Sequence, residues 1–131
     1  MALYVVITTV ALLAGAGLVI DGGTALAARG RAIGDAYAAA RAGAEALDQS
    51  AFATAGTVTD DPAAAAAAAH QALAVDGDDA GAEVSVDGRV VTVRVTITAP
   101  TNLLGVVGID TLTVHGEGSA RAVYGVTGAQ P

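Results

Sequence analysis

The first twenty residues, MALYVVITTVALLAGAGLVI, contain no charged side chain, and no other segment narrows the possible folds as much. A helix needs about 20 apolar residues to cross ~30 Å of hydrocarbon. Three kinds of protein carry such a run. A cleavable signal peptide has a basic region, an apolar stretch of about 7–15 residues and a small-residue cleavage site, and the basic region is missing from this text. A plain transmembrane anchor fits the length of Met1 to Ile20. The third kind is a helix held first in the membrane and later buried at the centre of a filament made of many copies. The residues that follow must decide.

They continue as helix. From Gly23 to Ser50 there is no proline, alanine is abundant, and Leu26, Ile33, Tyr37, Ala40, Ala44 and Leu47 recur at separations of three, four or seven. One helix of roughly 50 residues would be ~75 Å long, more than twice what a bilayer requires. Glycines stand at 15, 17, 22, 23, 30, 34 and 43, each costing about 1 kcal/mol relative to alanine inside a helix. Small residues in return let helices approach closely, and the spacings Ala11/Gly15, Gly30/Gly34 and Gly34/Ala38 provide flat strips for that purpose. Asp21-Gly22-Gly23, at the end of the apolar run, is the expected place for a kink or local unwinding.

Beyond residue 50 the text changes. Residues 51–60 read as a linker, and Asp60 or Asp61 is placed to cap a second helix that has Pro62 in its first turn and runs through the polyalanine stretch. DGDDAG breaks that helix, and the periodicity switches to two. Val84 and Val86 alternate with Glu83, Ser85 and Asp87, and Asp87-Gly88 signals a hairpin. Val91, Val93, Val95 and Ile97 then face one way, and after PTNLLGVVG the residues Leu112, Val114, Gly116, Gly118, Ala120 and Ala122 share a face. Three antiparallel strands with one apolar face need a helix to cover them. The expected class is α+β: a long N-terminal hydrophobic helix (1–50), a linker (51–60) and a small head of one helix and a three-stranded antiparallel sheet (61–131).

Composition excludes several functions. Thirteen acidic residues stand against six basic ones, all of them arginine, which leaves nothing to neutralise a run of phosphates and makes nucleic acid an unsuitable partner. The chain has no cysteine and no lysine, its serines are Ser50, Ser85 and Ser119, and its histidines, His70 and His115, fall on a helix end and on the polar face of a strand. No spacing forms a catalytic motif, so no enzyme activity and no cofactor are expected. Asp76, Asp78, Asp79 and Glu83 supply the hard oxygen ligands that calcium prefers, but not at EF-hand spacing, so they read as a solvated acidic turn and no metal site is assigned.

The stretch Val19-Ile20-Asp21-Gly22-Gly23 with the Ala-Leu-Ala-Ala-Arg that follows, read with TAPTNLLGVVGIDTLTVHGEGSARAV, resembles the TadE/TadG-like pilus-assembly proteins of GC-rich Gram-positive bacteria. The resemblance implies a pilin or pseudopilin, processing by a prepilin peptidase, delivery by a pilus assembly machinery, and a head outside the cell. Val5 stands where many type IV pilins carry glutamate, and Met1, with nothing basic before it, is expected to begin a processed or trimmed chain. Arg29, Arg31 and Arg41 follow the apolar run and taken alone would keep the head inside; a removed basic leader reverses that reading, and an outside head is expected.

The expected function is a structural subunit of a type IV-like (Tad-type) pilus that forms a homopolymer through N-terminal helices, with Ala11, Gly15, Gly30, Gly34 and Ala38 as helix-packing positions. The alternatives are a minor pseudopilin that primes a filament and a single-pass anchored binding module. The Met1 amine of one subunit is expected to approach Asp21 of another displaced by about the length of the apolar run, ~30 Å.

Overall fold

The structure is a computed structural model and describes residues 1–53 and 61–123. Two helices, α1 (Ala2–Ala53) and α2 (Pro62–Asp76), precede three strands, β1 (Ala82–Asp87), β2 (Val90–Pro100) and β3 (Thr111–Arg121); single 3-10 turns stand at Asp79–Gly81 and Leu104–Val107. The chain is α+β, as its periodicities predict. Helix α1 runs three residues into the expected linker; the remaining linker positions, 54–60, and the last eight residues of the head lie outside the described residues.

At 52 residues α1 is about 78 Å long. It is α-helical straight through Asp21-Gly22-Gly23, so the local unwinding expected there does not occur. Neither Gly22 nor Gly23 takes positive φ, and the Thr24 hydroxyl donates to the Asp21 carbonyl at 2.8 Å.

Helix α2 begins where Asp61 accepts from the amides of Ala63 and Ala64, with Pro62 in the first turn, and ends at Gly77, whose φ of 82° closes the C-terminus. It lays Ala65, Ala69 and Leu73, all buried, against the core. The sheet is antiparallel in the order β1-β2-β3. Asp87 pairs with Val90, so the β1-β2 hairpin turns on Gly88-Arg89, one residue later than the Asp87-Gly88 signal suggests. Gly88 has φ of 54° at the first loop position, where a two-residue hairpin wants glycine. On the polar face Arg94 spans all three strands, reaching Glu117 at 2.9 Å and Glu83 at 3.6 Å.

Val91, Val93 and Val95 of β2 are completely buried, and the second half of α1 lies across them. The buried hydrophobic residues of the helix are Ala28, Ala32, Ala36, Ala39, Ala40, Ala44 and Leu47. Of the stripe that sequence periodicity marks, Ala40, Ala44 and Leu47 are buried, whereas Leu26 and Tyr37 are 70% and 51% exposed. The reason lies on β3. A Cβ at Gly116 would stand 2.2 Å from the Ala32 backbone carbon, and one at Gly118 would stand 2.4 Å from the Tyr37 backbone nitrogen. Backbone meets backbone there, and only alanine fits on the helix side. The head and the second half of α1 therefore share one core.

Candidate functional site: the two faces of the long helix

One side of α1 binds the head, and the other side is open to solvent among the described residues. From Met1 to Ile20 every residue except Gly17 is exposed, including Leu3, Val5, Ile7, Leu12, Leu18 and Ile20. This is the one helix among the described residues long and apolar enough to cross a membrane: its apolar window has a mean hydropathy of 2.4 and is 6% buried, unlike the core helix of a soluble protein. Within it the Thr9 hydroxyl donates to the Val5 carbonyl at 2.8 Å.

The exposed face continues past the apolar run. Ala11, Gly15, Gly30, Gly34 and Ala38, the positions the sequence marks for helix packing, are all exposed. A Cβ added at Gly15, Gly30 or Gly34 would meet nothing within 4 Å. Gly17 differs, because its Cβ would come 3.0 Å from the Cβ of Leu103. Leu26 and Tyr37, displaced from the core, flank Gly30 and Gly34 on the open side.

Asp21 marks the point where the head takes hold. Its carboxylate has no exposed surface and accepts three backbone N–H groups from a segment some eighty residues away: Asn102 at 2.8 Å, Leu103 at 3.0 Å and Leu104 at 2.6 Å. These amides lead into the 3-10 turn Leu104–Val107, whose first N–H groups have no partner within the turn. An ionised carboxylate only accepts, so three converging donors suit it fully. The expected pairing of Asp21 with the Met1 amine of another subunit is thereby corrected, because the carboxylate is buried and already committed inside its own chain. The sequence does hold a signal for this latch: Asp21 is a lone acid closing an apolar run, and PTNLLGVVG is a loop with no charge of its own. Nothing in the sequence connects the two across such a distance.

Asp21→Ala would leave those three amides without an acceptor. Their hydrogen exchange is expected to speed up by about tenfold or more, while the amides of β2 around Val93 keep their protection. Exchange measured residue by residue in detergent checks this; equal acceleration in β2 would mean that the whole head had loosened instead.

The remaining candidates are dispersed. His70 is half-buried and its Nδ1 lies 2.6 Å from Asp79, and Glu83 turns to Arg94. The acidic cluster of the sequence thus divides, and among the described residues no three His, Asp or Glu side chains gather in a way that could hold a metal ion. His115 is exposed and lies 3.0 Å from the Thr96 hydroxyl. Compared with family models, curated proteins and solved structures, the chain gives no match. Its own geometry carries the conclusion: a long apolar N-terminal helix packed on a small antiparallel-sheet head, which is a pilin-like architecture.

Proposed function

We propose that this chain is a structural subunit of an extracellular, type IV-like (Tad-type) filament, held in the membrane by α1 before assembly and polymerised through α1 afterwards. The observation that carries the reading is the open face of the helix. Beyond the twenty residues that an anchor requires, α1 still shows solvent Leu26, Gly30, Gly34, Tyr37 and Ala38 on the side away from its head, ahead of the exposed Arg41–Glu45 pair. An anchor has no use for that surface. Helices of other copies do, because small residues allow close backbone approach when burial out of water no longer drives association.

The resemblance of Val19-Ile20-Asp21-Gly22-Gly23 to TadE/TadG-like proteins supports the same reading, and with it a homopolymer processed by a prepilin peptidase and delivered by a membrane assembly machinery. The role is mechanical rather than enzymatic. Negative-stain microscopy of cells expressing the chain with its machinery, followed by mass spectrometry of sheared fibres, tests it. Uniform fibres composed of this chain are expected. Fibres carrying it only in trace amounts would make it a minor pseudopilin, and the absence of fibres would leave an anchored binding module.

A further inference from the structure

We infer that residues 101–109 of the loop between β2 and β3 are a membrane wedge: they enter the outer leaflet beside α1 and pack against lipid acyl chains. The inference rests on the membrane stage of the proposed function.

Position comes first. The sheet is laid out along α1 with β3 running beside it, Gly118 opposite Tyr37 and Gly116 opposite Ala32. Continuing toward the N-terminus, Leu103 touches Gly17, and an open, apolar groove of about 300 Å³ lies between Leu103, Leu104 and Val106 of the loop and Val10, Leu13 and Ala14 of the helix. The loop therefore projects past the end of the sheet, alongside the uncharged segment. Measured from Asp21, Gly17 is about 6 Å and Val10 about 16 Å down the helix axis, and one leaflet of hydrocarbon is about 15 Å thick. A helix seated with Asp21 at the interface carries the loop into the leaflet with it.

Chemistry agrees with position. Residues 101–109 are uncharged, and Leu103, Val106 and Ile109 are exposed, Val106 by 85%. Irregular backbone enters hydrocarbon only when its polar groups are satisfied internally or held against protein. Here Asp21 takes the amides of Asn102, Leu103 and Leu104. The amides of Val106, Gly108 and Ile109 donate to carbonyls within the loop, that of Thr101 donates to Asp110, and the Thr101 hydroxyl donates to the Ile109 carbonyl. Gly108, with φ of 88°, lets the chain turn back within that network. A water-facing loop has no need of a buried carboxylate to satisfy its amides or of an apolar tip.

The absence of cysteine gives a clean test. Val106→Cys, Leu12→Cys and Asp87→Cys place single exposed thiols on the loop, on the far side of the apolar helix and at the distant end of the sheet. Each full-length variant is labelled with an environment-sensitive fluorophore and reconstituted into phosphatidylcholine–phosphatidylglycerol vesicles at several lipid-to-protein ratios. The label at Val106 is expected to lose iodide quenching and gain quenching by acyl-chain-brominated lipid, as at Leu12, at every ratio, while the label at Asp87 stays open to iodide. Ile109→Cys should report the same protection. Iodide quenching at Val106 with lipid quenching at Leu12 overturns the wedge and leaves the membrane stage standing. Aqueous behaviour at both overturns wedge and membrane stage together. Protection at Val106 that fades as lipid dilutes the protein overturns the wedge in favour of contact with a second copy.

Discussion

Gly118→Val is expected to lower the melting temperature of the head by roughly 12–24 °C, taking about 3 kcal/mol for overpacking and about 4–8 °C per kcal/mol for a domain of this size. Even the Cβ of alanine would come within 2.4 Å of the Tyr37 nitrogen, 2.6 Å of the Ala36 carbonyl carbon and 2.7 Å of the Tyr37 Cα. All three atoms belong to the backbone of α1, so no side chain can rotate away to make room. The sheet must lift from the helix, which opens voids around Val91, Val93 and Val95. Gly116→Val should behave alike, with the Ala32 carbonyl carbon at 2.2 Å and the Ile33 nitrogen at 2.4 Å. Gly34→Ala is the contrasting change: nothing lies within 4 Å of the new Cβ, and the helix gains about 1 kcal/mol of propensity. Circular dichroism melts in detergent separate the two outcomes. Wild-type melting of Gly118→Val would mean that β3 does not sit on α1.

These glycines show what the sequence discloses and what it conceals. Alternation in β2 announces Val91, Val93 and Val95, and the structure buries all three. The Asp61-Pro62 start of α2 is likewise legible, because a cap is a local event whose parts are adjacent in the chain. The facing of α1 is legible in its later turns, where Ala40, Ala44 and Leu47 recur and are buried, but not before them. Hydrophobicity favours Leu26 and Tyr37 as core, but the tertiary contact selects for small volume, and a helix rich in alanine offers no contrast by which periodicity could find the right stripe. The glycines of β3 do carry the missing information, since a strand whose inner face tapers from Leu112 and Val114 to Gly116 and Gly118 must be approached closely by its cover. The Asp21 latch was legible only in halves, as an acid that needs donors and a loop that needs an acceptor; their union depends on how far the sheet extends along α1, a global property.

The proposed function divides α1 between one face fixed to the head and another that would meet copies of the chain. Gly15→Leu and Gly34→Leu test that division, one within the apolar run and one beyond it. The Cβ added at either position meets no described residue within 4 Å, so the isolated subunit should fold as before, with helix propensity moving about 0.8 kcal/mol in its favour at each site. An anchored monomer tolerates both changes, since leucine partitions well into a bilayer and an exposed position outside it is indifferent. In a filament the same leucine is driven into every repeat of a close helix–helix contact. Overpacking costs about 1–3 kcal/mol at a single contact, and each subunit meets several neighbours. The decisive measurement is the number of fibres per cell by negative-stain microscopy for the two variants, alongside their abundance in the membrane fraction and the melting temperature of the purified chain. The account predicts normal abundance, an unchanged or higher melting temperature and no fibres; wild-type numbers of fibres from either variant would contradict it.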